Sequence, residues 1–334
     1  MEKLNIGVIG VGHLGALHTK MLTNIESANV VGVYDQNLER SKKIAEEFQT
    51  KSFEDINELL DSVDAVSIAV STKSHFDIAI KALTAGKHIF IEKPITETSQ
   101  QAEKLIQIAK PKNLKIQVGH IERFNSALLS IDHIQLNPLF IESHRLAQFN
   151  PRGADVAVVH DLMIHDIDII LSLVKSPVEN IWANGLAVVT DTIDIANARL
   201  QFKNGCVANV TASRISKSRM RKMRLFQKNA YVSIDFIEGT SEVFRLVDPS
   251  DENSQSTMML GMIESANSNK KIIYDRPVRK EINALKYELE LFIDAVQNDK
   301  TPQVTAEDGM RALEVAQTIV EKISNQQPFF KLTD

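Results

Sequence analysis

The chain has 334 residues, with 38 Lys and Arg against 43 Asp and Glu, a formal charge of −5, and a composition that is 43% hydrophobic and 24% charged. The length suggests two domains of roughly 150 residues each, the near-neutral charge argues against nucleic acid as a partner, and no run approaches the roughly 18 apolar residues of a membrane span. A single cysteine, Cys206, excludes an internal disulfide and a Cys-rich metal site, and its alternating surroundings mark a buried strand position rather than a nucleophile.

The start, MEKLNIGVIG, meets a glycine-rich turn where a signal peptide would carry its apolar core, so a cytoplasmic location is expected. Residues 4–9 form a short apolar run, 10–15 the turn and 16–25 a helical pattern. A strand at 30–34, a polar helix at 38–48, a strand at 65–70, a helix at 75–84 and strands at 88–91 and 115–118 follow. Short apolar runs without alternation are what strands look like when helices cover both faces. A doubly wound parallel sheet of Rossmann type is therefore expected over residues 1–122, with its ligand at the carboxyl ends of the strands.

From residue 123 to 334 the pattern becomes α+β with an antiparallel sheet: a helix at 162–173, then alternating strands. The runs 195–202 and 206–212 flank Lys203-Asn204-Gly205, a hairpin signal. Residues 248–271, rich in Ser, Asn and Asp, read as a mobile loop in which Met258, Met259 and Leu260 are candidate anchors. Amphipathic helices at 282–296 and 306–323 close the second domain.

Gly10-Val11-Gly12-His13-Leu14-Gly15 fits G-x-G-x-x-G between a strand and a helix, and His13 and Leu14 join the glycines as cofactor-binding residues. Gly10 permits the tight turn, Gly12 the approach of a pyrophosphate, and Gly15 close helix–strand packing. Asp35 ends the second strand 20 residues past Gly15, where a carboxylate accepts hydrogen bonds from ribose hydroxyls and repels a 2′-phosphate. NAD is favoured over NADP, with Arg40 the nearby cation that argues the other way. A glycine turn without a ligand is the plain alternative, and the strand–helix context and Asp35 outweigh it.

Glu92-Lys93-Pro94 directly follows a strand at the carboxyl edge of the sheet, where the nicotinamide half of a dinucleotide would lie. Asp161, His165 and Asp168, at i, i+4 and i+7, share one helical face. A solvated polar face and a metal site of the same three residues are the alternatives; no metal is expected, because the nucleotide motif and the strand-end residues already provide a metal-free mechanism.

The blocks Gly10–Gly15, Gly86–Pro94 and Asp161–Asp166, in this order and spacing, resemble the glucose-fructose oxidoreductase / inositol dehydrogenase / MocA family of NAD(P)-dependent oxidoreductases, over almost the whole chain. The resemblance implies a large open antiparallel sheet in the second domain, a homodimer or homotetramer, and an active site between the domains. It makes Lys93 and His165 the catalytic positions and Asp161 the substrate-orienting carboxylate, all three touching substrate. It places Ser71, Thr72 and His75, together with Glu92 and Lys93, against the cofactor, although the family usually has a proline where Thr72 or its neighbour stands. The implied reaction is oxidation of a secondary alcohol of a sugar, sugar nucleotide or polyol. His165 is the first choice as base because imidazole titrates near neutrality. Lys93 is the alternative, since burial and the cationic nicotinamide ring promote loss of its proton, and protonated it could stabilise the alkoxide.

Arg123 leaves the last Rossmann strand as a candidate anion or sugar contact, with an interdomain salt bridge as the alternative. Residues 214–224 hold six cations, Arg214, Lys217, Arg219, Arg221, Lys222 and Arg224, with Phe226 the one aromatic nearby, which argues against nucleic acid. They read either as a solvated strand edge or as a diphosphate site. The Gly119–Asn125 and Ser213–Ser216 stretches look like the sugar-nucleotide branch of the family, for instance oxidation of the 3-hydroxyl of a UDP-N-acetylhexosamine. A biliverdin-reductase-type enzyme and a non-catalytic dinucleotide-binding regulator are the rival readings, and the presence of both Lys93 and His165 weighs against each.

Overall fold

The computed structural model describes residues 2–151, 153, 155–250, 258–265 and 268–326. Its contacts separate two compact units, Met1–Phe124 with Asn283–Glu314 and Asn125–Ile282 with Val315–Asp334. The helices in chain order are α1 (His13–Leu22), α2 (Leu38–Glu47), α3 (Ile56–Asp61), α4 (Thr72–Thr84), α5 (Ser99–Ala109), α6 (Ser126–Leu129), α7 (Ile164–Val174), α8 (Ala284–Gln297) and α9 (Ala306–Gln326).

In the first unit β1 (Leu4–Ile9), β2 (Ala28–Tyr34), β3 (Lys51–Phe53), β4 (Ala65–Ile68), β5 (His88–Glu92) and β6 (Ile116–Gly119) form a parallel sheet in the order β3-β2-β1-β4-β5-β6. The order reverses between β1 and β4, the switch point at which such sheets leave a crevice. Both faces are covered: Ile89 and Ile91 pack with α3, α4 and α5, while Ile6, Val8 and Phe90 pack with α1 and α8. Double coverage is why these strands carry no polar alternation.

Three elements of this unit, β3, α3 and α5, add to those read from the sequence. α5 carries a full capping box, Thr98 with Gln101, which marks its start. The segment 283–314 packs with this unit, whereas the sequence reading groups it with residues 123–334. Leu289, Phe292 and Ile293 of α8 are fully buried, and the Phe292 ring meets Phe90 edge-on at 5.9 Å.

The second unit is built on a nine-stranded sheet of β7 (Phe140–Leu146), β8 (Val178–Leu186), β9 (Ile195–Phe202), β10 (Val207–Ser213), β11 (Met220–Gln227), β12 (Ala230–Asp235), β13 (Thr240–Val247), β14 (Met258–Ser265) and β15 (Ser268–Asp275), in the order β14-β15-β13-β12-β11-β7-β10-β9-β8. It is antiparallel except for the parallel pair β7 and β10. The Lys203-Asn204-Gly205 turn joins β9 to β10 as the sequence predicts, and Cys206 is fully buried just before β10, its thiol pushed up to about 11 by desolvation.

The loop expected at 248–271 is corrected by β14 and the start of β15; residues 251–257 and 266–267 lie outside the described residues. Strand periodicity is invisible there because Met258, Met259 and Leu260 are all exposed, so no polar residue marks an outer face. Among the described residues no helix is long and apolar enough to cross a membrane.

Candidate active site

The first unit holds a cavity of about 260 Å³ lined by Gly10, Gly12, Tyr34, Asp35, Gln36, Arg40, Ala69, Val70, Ser71, Ser74 and Ile78, at the carboxyl ends of β1, β2 and β4. Its floor needs glycine. Gly10 has φ of +84°, and a Cβ on Gly15 would stand 1.8 Å from the Gly10 carbonyl oxygen, whereas a Cβ on Gly12 would meet nothing. The backbone at Gly12 is therefore open to a close ligand.

Two helices begin at this cavity, α1 after Gly12 and α4 after Ser71, and neither has a side-chain cap. The neighbouring α2, α3 and α5 are capped by Asn37, Asp55 and Thr98. Uncapped helix starts facing a cavity leave N–H groups and the positive helix end for an anion, which suits the pyrophosphate of a dinucleotide.

Asp35 accepts from the Val11 N–H at 2.9 Å and the Asn37 N–H at 2.8 Å, so it braces the glycine turn as well as facing the cavity. The Arg40 guanidinium lies 3.4 Å from it. His13 and Leu14 are exposed on the first turn of α1. Ser71 lines the cavity and Thr72 opens α4. The side chains of His75 and Glu92 turn inward instead: both His75 ring nitrogens meet backbone carbonyls, and the Glu92 carboxylate pairs with His18. Lys93 follows β5 directly, half-buried. Arg123 lies 3.6 Å from Asp308, an ion pair inside the first unit.

In the second unit Asp161 and His165 lie on a single helical rod whose start is wound differently from the sequence expectation. Val159–Met163 form a π turn and only from Ile164 does the α-helix run, so Asp161 sits in the wider turn and His165 in the first turn of the α-helix. The solvated polar face is corrected at Asp168 alone, Asp161 and His165 being partly exposed. Asp166 and Asp168 are 2% and 1% exposed, and Asp166 is held by the buried Arg145 of β7 through Nε at 2.7 Å and Nη2 at 3.1 Å. His160, on the π turn, has its pKa lowered by burial. Among the described residues no group of three or more His, Cys, Asp or Glu is placed to hold a metal ion.

The basic run divides along the strand. Arg214 is 4% exposed and its guanidinium is spent inside the unit, on the carbonyls of Gly153, Val156 and Ile193 and on Asp194 at 3.6 Å. This overturns its reading as a diphosphate contact: an arginine at the end of β10 folds back on the loop that precedes the π turn. Lys222 and Arg224 pair across strands with Asp235 and Glu142.

Asp194 anchors the same loops. Burial alone would raise its pKa, but the N–H groups of Thr190, Val189 and Val188 and the Thr190 hydroxyl outweigh it and hold the group at about 2 against an ordinary 3.8. A depressed carboxylate stabilises the fold above its unfolded pKa and loses that contribution as pH falls through the folded value, here on the order of 2 kcal/mol. Urea unfolding at a series of pH values should show stability dropping between about pH 4 and pH 2, with a flatter profile in Asp194→Asn. An unchanged profile in that variant would assign the acid sensitivity elsewhere.

Comparison with known proteins decides the family. The model of the oxidoreductase family with an NAD-binding Rossmann fold matches residues 4–120, and that of the family's C-terminal alpha/beta domain matches residues 148–330. The chain belongs to the Gfo/Idh/MocA oxidoreductase family. A UDP-N-acetylglucosamine 3-dehydrogenase from Acidithiobacillus ferrooxidans is 40% identical over 245 residues, 73% of this chain and 78% of that protein. A solved structure of an enzyme of that name from the same organism superposes with a TM-score of 0.86 at 33% identity, covering 97% of this chain and 99% of the other. A myo-inositol 2-dehydrogenase from Thermotoga maritima is 25% identical, covering 93% of each. As a Gfo/Idh/MocA protein the chain is an oxidoreductase, and the cavity between α1 and α4 lies in the domain that the family model describes as NAD-binding.

Proposed function

We propose that the chain is an NAD-dependent dehydrogenase of a sugar nucleotide, acting on the 3-hydroxyl of a UDP-N-acetylhexosamine. The observation that carries this reading is the likeness to a UDP-N-acetylglucosamine 3-dehydrogenase, which extends through sequence and structure together. The inositol dehydrogenases are more distant, which ranks polyols second.

Gly10, Gly12 and Gly15, with the starts of α1 and α4, would hold the pyrophosphate, and Asp35 the adenosine ribose. NAD held there would supply the hydride acceptor for the carbinol carbon. His165 takes the hydroxyl proton, and the Lys93 ammonium hydrogen-bonds the same oxygen as negative charge develops on it. Asp161 orients the substrate. A row of rings across the nine-stranded sheet, Phe140, Phe226, Tyr231, Phe244 and Tyr274, with centroids 4.9 to 5.9 Å apart, supports self-association of the second unit into a homodimer or homotetramer. A cytoplasmic location completes the reading.

Asp35 repels a second phosphate on the ribose, and Arg40, already paired with it, offsets only part of that repulsion. NAD should bind at least about tenfold more tightly than NADP in fluorescence titration, and Asp35→Ala should narrow the ratio. Equal affinities in the unaltered protein would sink the cofactor assignment.

For the substrate, UDP-N-acetylglucosamine should raise the thermal midpoint of the NAD complex more than myo-inositol or glucose 6-phosphate at equal concentration. A larger rise with inositol would move the chain to the polyol branch.

A further inference from the structure

The Glu92-Lys93-Pro94 turn has a buried histidine on each flank. His75, 1% exposed in the first turn of α4, places Nδ1 2.9 Å from the Pro94 carbonyl and Nε2 3.2 Å from that of Val70, a residue of the cavity wall. His18, fully buried on α1, places Nε2 3.0 Å from Glu92 Oε1 and Nδ1 2.8 Å from the Ser67 hydroxyl. The other Glu92 oxygen accepts the Lys93 backbone N–H at 3.3 Å.

The protonation states assign the donors. Burial lowers the His75 pKa against the pull of the two carbonyls; a neutral ring carries one N–H, and its assignment to Nδ1, which has the shorter contact, to Pro94, is part of the proposal below. Burial opposes ionisation of Glu92, but the hydrogen bond and charge of His18, with Lys93 beyond, outweigh it and keep the carboxyl below its ordinary range. An ionised Glu92 only accepts, so His18 donates from Nε2.

We propose that His18 and His75 are positioning residues for Lys93, fixing the backbone on both sides of it so that its ammonium meets the reacting oxygen, while neither imidazole touches substrate or cofactor. A lysine side chain has four rotatable bonds, and a misplacement of about 1 Å at its root costs about 100-fold in rate. The same two contacts tie the turn to α1 and to α4. The inference rests on the assignment of Lys93 to the chemistry.

The two donors sit on different ring nitrogens, which makes the test specific. Asparagine can present an N–H near the position of Nδ1, and glutamine near that of Nε2. With NAD and UDP-N-acetylglucosamine as the probes, His75→Leu and His18→Leu should lower kcat about 10- to 100-fold with KM and the NAD dissociation constant within about threefold. His75→Asn and His18→Gln should recover most of the rate, while His75→Gln and His18→Asn should not. In a Lys93→Met background, His75→Leu should lower the residual rate no further.

Leucine variants that fold and keep kcat within about twofold, beside an inactive Lys93→Met, would overturn the positioning role and leave the function standing. An active Lys93→Met would instead remove the functional assignment itself. If the leucine variants fail to bind NAD, the amide pairs decide: equal rates for the two amides at either site would contradict the proposal.

Discussion

Lys93→Met should lower turnover by at least about 10³-fold while leaving the NAD dissociation constant within about threefold. Methionine keeps most of the length and apolar stem of lysine and loses its charge and all three N–H donors. Lys93 is not among the residues lining the cavity at Gly10, Asp35 and Ser71, so the adenosine and pyrophosphate contacts assigned there do not depend on it. The backbone N–H that it gives to Glu92 survives the substitution, so the turn stays in place. Steady-state rates with titrations of cofactor fluorescence check both halves. Retention of most activity would remove Lys93 from the chemistry, and parallel loss of NAD binding would make its role one of cofactor binding.

Asp166→Ala should destabilise the second unit by about 3 to 5 kcal/mol. The two hydrogen bonds from Arg145 make a bidentate pair with both partners 2% exposed, and the Arg145 guanidinium stands 6.0 Å from the Phe236 ring. Removing the carboxylate takes both of these hydrogen bonds from a buried guanidinium, which costs more than the net value of the pair. Asp166→Asn keeps one acceptor and should lose less. Because Asp166 immediately follows His165, the loss should be accompanied by a fall in kcat under conditions where the protein remains folded. Denaturant midpoints measure the first effect. A loss below about 1 kcal/mol would show that the pair is hydrated in solution.

The two folds differ in how openly the sequence displays them. The bounds of β1 and β9 coincide with the runs 4–9 and 195–202, because each ends at a turn containing glycine that stops the period abruptly. β3, with only three residues, and α3, with six, are too short for a period to register. The packing of α8 on Phe90 joins positions some 200 residues apart, and nothing local in either segment announces it.

The same holds for the side-chain clusters. The glycine turn and Asp35 form a local pattern at fixed offsets, so the cavity could be anticipated where it lies. Arg145 with Asp166, and His18 with Ser67 and Glu92, are each brought together by the fold from separate elements, so spacing carries no trace of them. Arg214 shows the converse: its neighbours make it look like part of a charged surface, and only the return of the chain at residues 153–158 and 193–194 reveals it as an internal tie. The π turn was equally hidden, since Val159–Met163 lies mostly ahead of the apolar run and leaves the α-helical period from Ile164 untouched.

The central claim is oxidation of a sugar nucleotide at one secondary hydroxyl, and the most direct test is the rate of NADH formation, followed by absorbance, with UDP-N-acetylglucosamine, myo-inositol and glucose 6-phosphate in parallel. A kcat/KM for UDP-N-acetylglucosamine at least about 100-fold above the other two, abolished in Lys93→Met, is the predicted result. Equal or higher kcat/KM for myo-inositol or glucose 6-phosphate, or no NADH from the nucleotide sugar in the presence of saturating NAD, would contradict it.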